Sequence, residues 1–240
     1  METKEKKRFF KIIGAIAAVV AFIASAITVT KFVSGNDYLP DFFHSNPTSA
    51  QAYEVGEIIH FGKWDWRVLD VQDDKVLLIA EEVLELRSYH EEETSNVTWR
   101  TCALRDYLNS EFYKTFSARE RKMITETRNR NTDNQWYGTD GGQITIDKVF
   151  LLSIEEVIKY FGDSGQLENR PNDPDWYIND QYNDERAAPY GNNDALWWLR
   201  SPGLNSISAA SIGISGNVYL GGATYDTVRG VRPALWLKLT

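Results

Sequence analysis

Two short runs limit most tightly what this chain can fold into: Trp197-Trp198-Leu199-Arg200-Ser201-Pro202-Gly203 and Gly230-Val231-Arg232-Pro233-Ala234-Leu235-Trp236. Each is aromatic and aliphatic, and each carries one arginine and one proline. Two indoles in succession suit a strand buried on one face and covered by a loop on the other. An arginine in such a run must meet a carboxylate or several carbonyls, because an unpaired buried charge is costly. Trp198, Arg200 and Arg232 are therefore expected to be structural, with the arginines as fixed struts in a small sheet.

Charge is distributed unevenly along the 240 residues, whose net is −8. Lys4, Lys6, Lys7, Arg8, Lys11 and Lys31 lie in the first 35 residues, so position 36 onward holds 20 basic and 32 acidic residues, a net of −12. A phosphate-binding face needs the opposite balance, so nucleic acid is excluded as an expected partner. Ile12 to Val29 form an uncharged run of 18 residues, about 27 Å as a helix and so about the thickness of a bilayer core. The preceding basic cluster places the N-terminus in the cytoplasm. The expected order is a cytoplasmic tail at 1–11, a transmembrane anchor at 12–32, a linker at 33–52 and an extracellular domain at 53–240. Ala24-Ser25-Ala26 also fits a signal-peptide cleavage site, but apolar residues continue through Phe32 and Val33. A core helix fits less well, since the run is apolar all round.

From Glu57 the pattern becomes strand-like. Ile58 to Phe61, Trp64 to Val71 and Lys75 to Ala80 are rich in β-branched and aromatic residues, with a turn at Asp73-Asp74. Another extended piece is expected from Val83 to Tyr89. Leu104, Leu108 and Phe112 share one helical face, starting near Thr101. Ser117-Ala118-Arg119-Glu120 and Ser153-Ile154-Glu155-Glu156 match the capping box, the second opening a helix to Phe161 with Gly162 as its stop. Between Gly162 and Asp194 no apolar period is sustained, and 169–194 holds six Asn and five Asp. A long structureless loop in a compact domain is usually functional or disordered. Short extended pieces return at Ala209–Ile214, Val218–Leu220 and Val231–Leu239, with a turn at Ser215-Gly216.

The ordered blocks WRVLDV, TWRTCALRDYLNSEF, DKVFLLS, WWLRSPG and GVRPALWL, spread over about residues 55–239, resemble the bacterial domain-of-unknown-function family numbered 6273. That family is similar in its C-terminal half to the C-type-lectin-like fold of formylglycine-generating enzymes and of retroelement-diversified proteins. The resemblance implies an α+β domain: a twisted antiparallel sheet, two to three flanking helices and long loops, here behind one transmembrane helix. It implies no activity, and fold alone cannot supply one.

The inventory for catalysis is thin. His44, His60 and His90 form no metal pair, and Cys102, the single cysteine, fits a small buried thiol. The chain is expected not to be an enzyme and to need no cofactor, although oxygens in 169–194 could hold a structural Ca2+. The competing reading of those Asn and Asp residues is turn formation. Exposed aromatics beside amides suit an extracellular glycan or protein. The expected contacts are Trp176, Tyr177, Asn179, Asp180 and Tyr182 in the 162–195 loop, and Asn217, Tyr219 and Tyr225 in the 213–227 segment. The bland alternative is that these rings pin loops to the core. Two rival readings are an envelope enzyme working through Asp140, Asp180 and Asp194, and a structural subunit of a membrane assembly.

Overall fold

The computed structural model describes residues 53–91, 96–171 and 176–239. The expected tail, anchor and linker lie outside these residues, and among the described ones no helix is long and apolar enough to cross a membrane. The domain is mostly strand with a few short helices, an α+β arrangement. One antiparallel sheet orders β1 (Ile58–Phe61), β2 (Trp64–Gln72), β3 (Lys75–Ala80) and β14 (Ala234–Lys238). β14 pairs with β3 from Ala234↔Ile79 to Lys238↔Lys75, so the C-terminal run completes the N-terminal sheet.

The second sheet has six strands. In spatial order they are β4 (Glu85–Ser88), β13 (Val228–Val231), β10 (Trp197–Pro202), β11 (Ser208–Ile212), β12 (Val218–Thr224) and β7 (Tyr177–Ile178). Where one antiparallel sheet was expected there are two, and β13 runs parallel to β10 through Trp197↔Gly230. On its other side β13 pairs antiparallel with β4, from Val228↔Ser88 to Val231↔Glu85. Two small hairpins complete the strands: β5 (Thr127–Asn129) with β6 (Thr145–Asp147), and β8 (Pro189–Tyr190) with β9 (Asn193–Asp194).

Four helices are described: α1 (Ala103–Tyr107), α2 (Ala118–Met123), α3 (Ile154–Phe161) and α4 (Asn183–Arg186). α1 runs on as a π-helical turn over Leu108–Phe112, which buries Leu108 and Phe112. Both capping boxes form, at Ser117 with Glu120 and at Ser153 with Glu156. Gly162, at φ +125°, ends α3, and a Cβ there would fall 2.3 Å from the Tyr182 ring. Only glycine allows that approach.

The described residues of the 162–194 region are not structureless. β7, α4 and the β8–β9 hairpin lie within it, each too short to leave a periodic signature.

Every fully buried indole has its N–H satisfied, as desolvation demands. Trp66 donates to Phe61 O at 2.8 Å, Trp99 to Asp147 Oδ2 at 3.1 Å, Trp197 to Arg186 O at 3.1 Å and Trp198 to Arg87 O at 2.9 Å. Arg200 is 3% exposed. It grips Glu156 in the first turn of α3 with two nitrogens and donates to Leu151 O at 2.8 Å. Arg232 meets no carboxylate. Its donors reach Ala80 O at 2.9 Å, Glu81 O at 3.1 Å and Arg186 O at 3.4 Å, and it lies between the Trp197 and Phe161 rings. Burial pushes this guanidinium down to about 10, Glu81 opposing the shift. Both arginines tie separate elements together.

Candidate functional site

The eight expected contact residues divide by burial. Trp176 is 56% exposed, and Asn179 is exposed too. Tyr177 in β7 and Tyr219 in β12 are cross-strand partners, half-buried, with ring centroids 5.2 Å apart. The other four are held internally. The Asp180 carboxylate is paired with the buried Arg186 and accepts from Ser164 Oγ at 2.7 Å and Tyr182 N at 3.0 Å. Burial raises its pKa, but the bonds from Ser164, Tyr182 and Arg186 outweigh that and leave it below the ordinary carboxylate value. Tyr182 packs on Gly162. Asn217 is buried, accepting from Ser215 Oγ at 3.2 Å to close the turn before β12. Tyr225 is buried with its ring 5.7 Å from His90. The Asp180 carboxylate and Asn217 Oδ1 are thus engaged within the loops they brace, and Tyr225 is buried.

The exposed aromatics do not stand alone. The Cβ direction of Gly221 in β12 points at Tyr137 Oη, 3.6 Å away, and at Trp176 Cε3, 3.8 Å away. Both rings therefore lie against the sheet at ordinary contact distance from this position. Tyr137 and its neighbour Trp136 are held by Asn134, which is fully used. Its Nδ2 donates to Pro202 O at 2.8 Å and Leu220 O at 2.9 Å, while its Oδ1 accepts from the Trp136 and Tyr137 amides. Arg170 lies over the Trp136 and Tyr137 rings, at 4.8 and 5.0 Å. Trp136, Tyr137, Trp176, Tyr177 and Tyr219 together make an aromatic surface at the β12–β7 edge of the six-stranded sheet.

A row of cross-strand pairs extends this surface inward. Tyr177 pairs with Tyr219, Tyr219 with Ser211, and Ser211 with Trp198. Paired residues on neighbouring strands project to the same side. Arg229 of β13 lies over the Trp198 ring at 5.4 Å. Sequence inspection passed over Arg229, Trp136 and Tyr137. The signal that could have found the two rings is the one applied to 176–177, aromatics set between turn-forming residues (Asn134 and Gly138).

Elsewhere the chemistry is sparse. His60 Nδ1 is 2.8 Å from Asp65 on the exposed edge of the first sheet, and His90 Nδ1 accepts from Ala103 N at 3.1 Å. His44 lies outside the described residues. Cys102 is buried as the N-cap of α1, and burial raises its thiol to about 12. Asp140 accepts from Gly142 N at 2.8 Å within its own turn, and Asp194 is exposed in β9. Among the described residues no three His, Cys, Asp or Glu come together to hold a metal. A groove of about 340 Å³ opens between β5, α3 and β14, lined by Arg128, Arg130, Phe150, Tyr160 and Trp236 among others. Its Ser153 is a helix cap and its Glu156 is tied to Arg200, so neither is a free nucleophile or base.

Residues 73–239 match a family described as a domain of unknown function (DUF6273). No curated protein and no solved structure matches the chain.

Proposed function

Since the chain belongs to the DUF6273 family, whose description carries no activity, we propose a function from its own surface: a membrane-anchored, non-catalytic recognition module that binds an extracellular glycan or protein. The observation that carries this reading is Trp176, a large ring left 56% exposed beside the Tyr177–Tyr219 pair and Tyr137. Rings of this kind cover the apolar face of a pyranose or an apolar side chain, and the exposed Asn179, whose Oδ1 accepts from Asn183 Nδ2, offers its Nδ2 as a donor. The platform beneath is a hydrogen-bonded six-stranded sheet, and binding residues on loops carried by such a scaffold are the common arrangement. The finer assignment of the α+β domain as C-type-lectin-like draws on its short helices and its long connections between Gly162 and Asp194.

The anchor at 12–32 and the outward orientation rest on the apolar run and the basic cluster before it. Alkaline carbonate should leave the intact chain in the membrane fraction; release of the chain, or a mature start after Ala26, would remove the anchor. For binding, the full-length chain in detergent is screened on glycan and envelope-polymer arrays, with and without Ca2+. Binding that disappears in Trp176→Ala and Tyr219→Ala while the melting temperature holds supports the module. Turnover of an arrayed polymer, or no binding at all, counts against it.

A further inference from the structure

Arg229 occupies a place where a cation is costly. In β13 it stands opposite Arg87 of β4, and like charges facing each other across an antiparallel pair destabilise it. Arg87 is compensated. Its Nε donates to Glu85 at 3.0 Å, and its guanidinium stacks 3.5 Å from the Tyr107 ring centre. Arg229 has no such help. Its Nε and Nη1 are buried without any acceptor, and what it touches is the face of Trp198. Burial lowers its hold on the proton, and only the Tyr219 phenol opposes that shift.

The contrast with the structural arginines is informative. Arg186 and Arg200 each hold a carboxylate, and Arg232 holds three backbone carbonyls. Arg186 Nε and Nη1 and Arg200 Nε are also buried without partners, but each strut has at least one acceptor, and Arg229 has none. Arg229 is half-buried; of its three nitrogens only Nη2 is not closed off. A second orphan lies on the same row of the sheet, the buried Ser211 Oγ, which has no partner either. A guanidinium with no acceptor is costly, and because Nε, Nη1 and Ser211 Oγ are closed to solvent, a ligand oxygen would offset that cost at Nη2.

We propose that Arg229, together with Tyr219 and Tyr177, is an oxyanion subsite, selecting ligands that carry a carboxylate or phosphate on a ring. The inference rests on the reading of this surface as a recognition site and names its ligand chemistry. Tyr177 and Tyr219 take the ring and Arg229 takes the charge. In a domain whose net charge beyond position 35 is −12, long-range attraction does not gather anions, so selection depends on this local donor.

Full-length chain in detergent is titrated at low salt with D-glucuronate, glucose 6-phosphate, D-glucose and inorganic phosphate. The two ring anions should bind roughly tenfold more tightly than glucose, a charge-assisted bond's share of affinity, and more tightly than phosphate alone. Preference for glucuronate or for the phosphate ester separates a carboxylate source from a phosphate source. In Arg229→Gln that preference should vanish, with a melting temperature no lower than that of the unaltered chain. A lowered melting temperature would make Arg229 a strut and overturn the proposal, as would an anion preference that survives the substitution. Equal binding of glucose and the ring anions overturns the subsite alone and leaves the recognition reading standing. Absence of binding to every array and every probe removes both.

Discussion

The Arg200–Glu156 pair offers a test in which the two partners should behave unequally. Glu156→Ala leaves a guanidinium that is 3% exposed with one carbonyl, Leu151 O, and the Phe150 ring at 5.8 Å. Its Nε already lacks a partner. Orphaning one member of a buried pair costs about 3–5 kcal/mol. The same substitution removes the Glu156 half of the capping box, whose carboxylate accepts from Ser153 N at 3.0 Å, for roughly another 0.5–1 kcal/mol. Arg200→Ala leaves a different residue behind. The Glu156 side chain is 28% exposed, so its carboxylate rehydrates; the loss is one bond to Leu151 O plus the packing of the stem, about 3 kcal/mol together.

Glu156→Ala should therefore cost at least as much as Arg200→Ala. The double variant should fall short of the sum by about 2 kcal/mol, since the orphaned charge is absent from it. Urea melts of the full-length chain, followed by tryptophan fluorescence and compared at equal slope, measure all three values. A Glu156→Ala loss below about 0.5 kcal/mol, or additivity within about 0.5 kcal/mol, would show that the pair is solvated and refute the strut.

Other perturbations have equally definite outcomes. Asp147, buried, accepts from Arg105 Nε at 2.6 Å, Trp99 Nε1 at 3.1 Å, Asn129 Nδ2 at 2.7 Å and Thr145 Oγ1 at 2.7 Å. Asp147→Ala should cost on the order of 4 kcal/mol in the same melts, and a loss under about 1 kcal/mol would contradict the hub. Burial raises the Cys102 thiol to about 12 from 9.0. The stability linked to it is whole below pH 9.0 and is lost as pH rises from there to about 12, because only the unfolded thiol ionises in that window. Iodoacetamide labelling at pH 8 should follow the urea transition, and rapid labelling of the native chain would contradict the burial. Asn134→Ala should cost about 2 kcal/mol and abolish array binding by freeing Trp136 and Tyr137; unchanged binding would separate those rings from the site. Trp176→Ala should leave the melt within about 0.5 kcal/mol, as exposed substitutions do, and a larger loss would make Trp176 a core residue.

The turn at Asp73-Asp74, both capping boxes and the stop at Gly162 were legible because each rests on contacts within a few residues. Burial of Arg200 and Arg232 was legible from the apolar company of each. The partners were not. Glu156 lies 44 positions from Arg200, and Ala80 lies 152 from Arg232. The split into two sheets was hidden for the same reason, since β3 with β14 and β4 with β13 join opposite ends of the chain. Within 162–195 the composition marked a polar, aromatic loop, but it could not separate Trp176, which faces outward, from Asp180, which is locked to Arg186. Both residue types serve either purpose, and only burial decides between them.

The division between scaffold and surface also explains why a recognisable family pattern says so little about activity. In WRVLDV, Trp66 is core. In TWRTCALRDYLNSEF, Trp99 and Arg105 hold Asp147, while Asn109 donates to Arg105 O and Val149 O and accepts from two amides. DKVFLLS begins with Asp147 and ends with the Ser153 cap, WWLRSPG carries Arg200, and GVRPALWL carries Arg232. Each block is legible as a pattern because its side chains have several partners that a substitution would strand. Trp136, Tyr137, Trp176, Tyr177, Tyr219 and Arg229 fall outside all five blocks. They stand on a sheet whose register the blocks fix, yet few of their own contacts are needed to hold it. The rings at the β12–β7 edge and Arg229 of β13 should therefore be exchangeable at less cost in stability than the residues of the five blocks. The place to look for function in such a domain is the set of exposed or unsatisfied groups that the pattern does not require, and Arg229 is the sharpest of them.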